Sequence, residues 1–470
     1  MAKLTVTGGR VIDPANDIDQ ITDLVLEDGV VKSLGRVSAP DGPSLDASGC
    51  IVAPGLIDVH VHLREPGQED KETIATGAAA AVAGGFTSVC CMPNTTPAID
   101  DDSMIEFVYK QAARAKLAHV FPVGAATKDR AGKELAEIGL MNRAGAVGFS
   151  DDGTPVGSAK VMHDALKYIA MTGKVFMQHC EDPDLGGGAM NAGPLASKLG
   201  LSGWPALAEE LMIERDIRIS EALGYTARWH AQHMTTAGGV GLLREARARF
   251  DRAVANGHAP GDSFGQPGGL GRITGEVSPH HLLLTEEACA DYDTHAKMNP
   301  PLRTRRDIEA LTAAVADGTI SILATDHAPH TREEKEREFA IAPYGIIGLE
   351  CALALYIKAL IDTGAIDWPR LIALMSSNGA QLCELAGKGH LGVGAHADVT
   401  IIDPAHAWTI DTNAFAGKSS NCPFDGWQVK GRAIATIVGG ETKLCLDPDR
   451  IQGDQTCATQ AGHLIPVGAG

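Results

Sequence analysis

Two histidines one residue apart, His60 and His62, close the apolar run Ile51-Val52-Ala53-Pro54-Gly55-Leu56-Ile57-Asp58-Val59. In extended backbone, residues i and i+2 share a face, so both imidazoles look the same way. Neutral imidazole is the commonest metal ligand, and two on one face supply half of a tetrahedral site. A pair of this kind also arises by chance at strand ends. The positions of the other polar residues separate it from chance. Asn94 follows Cys90-Cys91-Met92-Pro93, Asp151 and Asp152 follow Val147-Gly148-Phe149-Ser150, and His179 follows Val175-Phe176-Met177-Gln178. His233 follows Trp229-His230-Ala231-Gln232, and Asp326-His327-Ala328-Pro329-His330 follows Ile320 to Thr325. Taken singly, each reads equally well as a core histidine or a helix-capping aspartate. Together, four histidines and two aspartates form a nitrogen and oxygen set suited to zinc or another divalent first-row ion. Six donors exceed one tetrahedral ion and match two ions that share a carboxylate.

The elements that carry these residues alternate between strand and helix from about residue 55 to 390. Candidate strands end near His60, Met92, Gly124, Ser150, His179, His233, Ser278 and Asp326, with helical stretches such as Glu72 to Ala83 and Asp307 to Ala316 between them. Eight such repeats fit a closed (β/α)8 TIM-type barrel, whose sites lie at the C-terminal ends of the strands. An open doubly wound sheet has the same alternation, but it gathers its site at one switch point. Residues 1–54 read instead as short strands broken by Asp13-Pro14 and Asp28-Gly29, an antiparallel meander. The same texture returns over 391–440, ending at Gly439-Gly440. Fifty residues of hairpin make a thin core, so the two ends are expected to pack as one small β-sandwich domain with the barrel inserted between them. Residues 256–271, rich in Gly and Pro, read as a long surface loop, and residues 441–470 as a tail without periodicity.

Composition narrows the function. The chain has 470 residues, 44% hydrophobic and 21% charged, with a formal net charge of −19. That balance argues against nucleic-acid or anionic-membrane binding, which need a basic footprint. It leaves room for an anionic substrate held by a local arginine. Ten cysteines without a C-x-x-C motif point to reduced thiols in a cytoplasmic protein. No G-x-G-x-x-G or phosphate-loop motif follows the first barrel strand.

Five stretches in combination carry a specific resemblance. They are Asp58-Val59-His60-Val61-His62-Leu63-Arg64-Glu65-Pro66-Gly67, Met92-Pro93-Asn94-Thr95, Ser150-Asp151-Asp152-Gly153, Lys297-Met298-Asn299-Pro300-Pro301-Leu302-Arg303 and Ala324-Thr325-Asp326-His327-Ala328-Pro329-His330. Over about residues 1 to 440 the chain resembles class I dihydroorotases of the amidohydrolase superfamily. The resemblance implies a zinc enzyme, with two ions per subunit, that opens the cyclic amide of dihydroorotate to N-carbamoyl-aspartate in pyrimidine biosynthesis. It implies His60, His62 and Asp326 at one ion and His179 and His233 at the other. Asp152 would bridge them, chosen over Asp151 for its family-like separation from His179. Asp326 would move the proton from water to the leaving nitrogen.

For the substrate, the resemblance implies contacts from His62, Leu63, Arg64, Asn94 and His330, from Asn299, and from the backbone of Tyr344 and Gly345. The alternative for Arg64 is a surface salt bridge to Glu65 or Glu69. His230, His280, His281, His295 and His327 are expected to lie outside the ligand set. A homodimer, and association with aspartate transcarbamoylase, are the expected partners. Two rivals stand beside this reading: another cyclic amidase, of the allantoinase or hydantoinase type, and a silent dihydroorotase-like scaffold. The first typically carries a bridging lysine where this chain has Ser150-Asp151-Asp152-Gly153, and the second usually has damaged ligands.

Overall fold

The computed structural model describes residues 3–260 and 269–453, together with the backbone of 459–460 and 463–464. The N-terminal stretch forms a hairpin, Lys3–Asp13 antiparallel to Ile18–Glu27, which pairs in turn with Val30–Leu34. The second turn is Asp28-Gly29, with φ of 51° and 79°. Two successive positive φ angles are the conformation that a two-residue hairpin turn of this hand requires. Ser44–Asp46 and Ile51–Pro54 then join the other edge of the first strand in parallel, so the meander covers only the first three strands.

The chain returns to this sheet at its far end. Val399–Thr409 pairs antiparallel with Ile51–Pro54 and then with Gln428–Val438. The boundary expected at 440 falls inside a hairpin, because Glu441–Cys445 pairs with Gln428–Val438 and Gly439-Gly440 is its turn. Ile451–Gln452 adds to Ser44–Asp46, so part of the expected tail is sheet. Leu4, Val6, Leu24, Leu26, Val52, Val399, Ile401 and Ile437 are buried together beneath these strands. Of the expected Gly/Pro-rich loop, residues 261–268 lie outside the described residues.

Between the two halves of that sheet, among the described residues, eight short strands pair in parallel one after another, with a separate parallel pair at Met190–Asn191 and Gly203–Trp204. Leu56–Val61, Phe86–Cys91 and His119–Pro122 pair in sequence, and a parallel bridge from Gly124 to Phe149 leads to Gly148–Phe149. Val175–Gln178, Arg228–Ala231, Ile273–Val277 and Ile322–Leu323 come next, each parallel to the last. A further parallel bridge joins His327 to Val61 and returns to the first strand. These strands are almost wholly buried, as parallel strands covered by helices on one face must be. Helices Ile74–Gly84, Asp102–Ala115, Ala159–Ala170, Leu207–Ala222, Ala237–Ala255 and Arg305–Asp317 follow strands in turn. The first begins two residues later than the sequence pattern indicates, because Thr73 is its N-cap and accepts from the Thr76 amide.

The inner face of the strands holds Ile57, Val59, Cys90, Met92, Val175, Met177, Ile322 and Ala324. Each pair has period two. By that rule Ile57 and Val59 should exclude His60 and His62 from the same face. A bulge removes the conflict: Asp58 pairs with Val89 but Val61 with Cys91, so three steps on one strand oppose two on its neighbour. The extra residue reverses the alternation and re-aims the side chains beyond it. The buried Asp58 carboxylate holds the bulge, accepting from the amides of His60 (3.0 Å) and Thr325 (3.2 Å).

Candidate metal and substrate site

At the C-terminal ends of these strands the predicted residues converge. Asp152 stands at the centre. Its Oδ2 lies 3.3 Å from His60 Nε2 and 3.4 Å from His62 Nε2, while its Oδ1 lies 3.3 Å from both His179 Nδ1 and His233 Nε2. One carboxylate therefore faces two imidazole pairs with its two oxygens. Asp326 Oδ1 closes the first pair, 3.0 Å from His62 Nε2 and 3.5 Å from His60 Nε2. His179 Nδ1 and His233 Nε2 are 2.8 Å apart. All six side chains are buried. Among the described residues, His60, His62 and Asp326 form one group able to hold an ion, and His60, Asp152 and His233 another. The donor set fits a divalent metal, since in each group buried imidazole nitrogens and carboxylate oxygens converge to within 4.8 Å of one another. Asp151 turns away, its carboxylate taken by the amides of Ala126 and Thr127.

The electrostatics follow from this packing. Burial pushes the carboxyls up, but the imidazoles around Asp152 and Asp326 hold both well below the usual carboxylate range. Three residues of the cluster also hold backbone that side chains seldom adopt, with φ of 62° at Arg64, 30° at His233 and 48° at Asp326. Such strain persists only where surrounding structure over-determines it, and it gathers at functional sites.

The cluster opens into a cavity of about 260 Å³ lined by His62, Arg64, Asn94, Asn299, His330, Tyr344 and Gly345 among others. Arg64 does not make the alternative surface salt bridge. It is buried, its Nε donates to the Pro329 carbonyl (3.1 Å), and no carboxylate lies within 4 Å among the described residues. Glu65 instead accepts from Ile74 and Gln111, and Glu69 from Gly67. Burial pushes the Arg64 guanidinium down to about 10, so it remains a cation at neutral pH. His330, 3.4 Å away, is held neutral by its burial and that cation. Asn94 Oδ1 meets His62 Nδ1 at 2.8 Å, and the buried Asn299 Oδ1 has no partner among the described residues. Leu63 is the exception. Its side chain packs over Gly77 in the core and does not reach the cavity wall.

Three further residues escaped the sequence reading. Glu276, on the seventh of the parallel strands, is fully buried and places Oε1 2.5 Å from His60 Nδ1 and Oε2 3.0 Å from His230 Nε2. Burial opposes its charge, yet His60 and His230 hold it at about 2. Glu181 Oε2 backs His179 Nε2 at 2.9 Å, and Gln232 Nε2 approaches His60 at 3.2 Å. The available signal for Glu276 was an acid inside the apolar run Ile273-Thr274-Gly275-Glu276-Val277. His230 thus lies outside the donor set, and His327 turns to accept from the Gly348 amide.

Comparison with known proteins bears on the family of the chain. A dihydro-orotase-like family model matches residues 49–237. A dihydroorotase of Geobacter sp. (strain M21) is 46% identical over 441 residues, covering 93% of this chain and 98% of that protein. One of Pelotomaculum thermopropionicum is 46% identical over 444 residues, covering 94% and 98%. The chain belongs to the dihydroorotase family. Among solved structures, an L-hydantoinase (dihydropyrimidinase) from Arthrobacter aurescens superposes with a TM-score of 0.81 at 23% identity, over 97% of this chain and 98% of that one. A dihydropyrimidinase from Brevibacillus agri gives 0.78 at 22%, over 94% and 95%. Those two likenesses concern the α/β fold alone. Among the described residues no helix is long and apolar enough to cross a membrane.

A carboxylate behind a metal-binding imidazole fixes its tautomer, and losing it typically costs about 10- to 100-fold in metal affinity. Glu276→Gln is therefore expected to weaken metal retention by about that factor, read by competition with a chromogenic chelator. Wild-type retention would remove Glu276 from the role of orienting His60.

Proposed function

We propose that this chain is a zinc-dependent dihydroorotase, opening the cyclic amide of (S)-dihydroorotate to N-carbamoyl-L-aspartate, and the reverse, in pyrimidine biosynthesis. One observation carries the reading: the carboxylate shared between two imidazole pairs opens on a cavity whose wall holds a buried arginine without a carboxylate partner among the described residues. The pairs would hold two ions, with His60, His62 and Asp326 at one, His179 and His233 at the other, and Asp152 between them. When bound, divalent ions in such a set lower the pKa of water toward neutrality and polarise an amide carbonyl.

The chain's own residues supply the rest. Asp326, ionised and 3.0 Å from His62 Nε2, is placed to take a proton from the attacking water and return it to the ring nitrogen as the amide bond breaks. Ring closure uses the same group in reverse. Arg64 offers a planar fork to the substrate carboxylate, with Asn94 and His330 beside it. Asn299 Oδ1 and the Tyr344–Gly345 backbone face the ring. A hydantoin carries no carboxylate to satisfy Arg64, which disfavours the neighbouring amidases.

The ring of parallel pairings supports a (β/α)8 barrel over about 55–390. The shared sheet supports a small β-domain made from 1–54 and the segment after 391. A cytoplasmic location, a homodimer and an aspartate transcarbamoylase partner belong to the same reading and rest on the family resemblance alone.

The deciding experiment is hydrolysis of dihydroorotate by purified protein, with metal content measured on the same sample. Turnover that a chelator removes and zinc restores is expected. A metal-loaded protein that opens a hydantoin and ignores dihydroorotate would overturn the reading. Asp326→Asn is expected to lower kcat by about 10³-fold, the scale of positioned acid–base catalysis, while circular dichroism stays unchanged; retained turnover would remove it as the proton carrier. Arg64→Met should raise KM for dihydroorotate about 30-fold, the worth of a charge-assisted hydrogen bond near 2 kcal/mol. An unchanged KM would dismiss the carboxylate clamp.

A further inference from the structure

One wall of the cavity is Pro343-Tyr344-Gly345, part of a segment from Phe339 to Gly345 that forms neither helix nor strand. Buried carbonyls in such a segment must find donors elsewhere. Two lysines provide them. Lys297 Nζ donates to the carbonyls of Phe339 (2.6 Å), Ala340 (3.1 Å) and Ala342 (2.7 Å) and lies 4.5 Å from the centre of the Tyr344 ring. Lys335 Nζ donates to the carbonyls of Pro343 (2.9 Å) and Gly345 (3.1 Å). Two ammonium groups thus hold five carbonyls of one seven-residue segment. The Gly345 amide returns a hydrogen bond to the Lys297 carbonyl at 2.9 Å, and Asn421 Nδ2 shares the Gly345 carbonyl at 3.0 Å.

Both lysines are buried to within 2% of full burial, and among the described residues neither has a carboxylate within 4 Å. Lysine is almost never buried unless paired, and burying its charge without a counter-ion is costly. That cost shows in the groups themselves: burial pushes Lys335 down to about 7 and Lys297 to about 8. An apolar side chain would fill the same space at lower cost and leave the carbonyls unpaired. Lys297 also stands two residues before Asn299, another residue of the cavity lining. Its side chain and its carbonyl both bond the 339–345 segment, so the clamp ties the stretch that carries Asn299 to the Tyr344–Gly345 wall.

We propose that Lys297 and Lys335 are positioning residues for the substrate ring, holding the Pro343–Gly345 wall at a set distance from Asn299 so that ring binding, and not the proton transfer at Asp326, depends on them. The proposal rests on the functional reading above. Neither lysine touches the histidine and aspartate cluster, so metal content is expected to stay at the wild-type value when they are changed.

The test compares zinc-loaded wild type with Lys297→Met and Lys335→Met, measuring kcat and KM for dihydroorotate, metal content and the thermal unfolding midpoint. The expected result is a KM raised at least tenfold, with kcat within about threefold of wild type and metal content unchanged. Lys335→Gln, which keeps a donor, should recover part of the lost KM, and it stands in if Lys335→Met does not fold. Wild-type KM in the folded variants, or a fall in kcat at constant KM, overturns the clamp alone. A wild type that does not open dihydroorotate overturns the functional reading and this proposal with it.

Discussion

One imidazole, His60, lies among three buried carboxylates, and the rest of the site depends on that arrangement. Glu276 meets its Nδ1, while Asp152 and Asp326 face its Nε2. Removing such charges from water costs several kcal/mol per ion even after relaxation. In a low-dielectric interior the attraction between opposite charges grows as the solvation is lost. The cluster therefore persists only where each group meets several partners of opposite sign, and a metal-binding donor set meets that condition. Strands drawn from residues 58 to 326 must hold their ends in register for it to form.

That register is maintained by devices outside the donor set. The bulge held by Asp58 turns His60 and His62 inward. Glu209, buried on the helix Leu207–Ala222, accepts from the amides of Thr235 and Thr236 and fixes the turn just after His233. Strained backbone at Arg64, His233 and Asp326 is stable because these contacts leave no easier alternative. The sheet made by the two chain ends is fastened to the same frame. Thr400 Oγ1 accepts from the Leu56 amide at 3.2 Å and donates to the Gly85 carbonyl at 2.6 Å, tying the start of the first inner strand to the end of the helix after it.

The cavity divides into two environments. Beside the cluster, carboxylates and imidazoles compensate one another. In the rest of the lining the group without a carboxylate partner among the described residues is Arg64, and behind the Pro343–Gly345 wall stand Lys297 and Lys335. For Arg64 the absent counter-charge is one that a carboxylate-bearing substrate would bring. For the lysines, neutral carbonyls take that place and gain rigidity from it. A chain with net charge −19 thus keeps a buried arginine in its cavity wall, which shows why global charge is a poor guide to substrate.

The sequence alone determined the donor types, their placement after successive apolar runs, and the recurrence of strand texture at both ends, because these follow from local periodicity and side-chain chemistry. The family resemblance, not local pattern, pointed to Asn94, Asn299, His330, Tyr344 and Gly345, and all five line one cavity. The Leu63 side chain lies in the core and not in the cavity lining, because neighbours in a motif need not share a face. Glu276 was missed because a lone acid in an apolar run reads locally as an exception, and the adjacent strand supplies its His230 imidazole; Glu181 was missed because an acid in the polar stretch after a strand reads as loop surface, although it folds back on His179. The bulge that sets the facing of His60, the hairpin past residue 440 and the lysine clamp were decided by tertiary structure. Each depends on which distant backbone group needs a partner, and that is settled only when the strands close on one another.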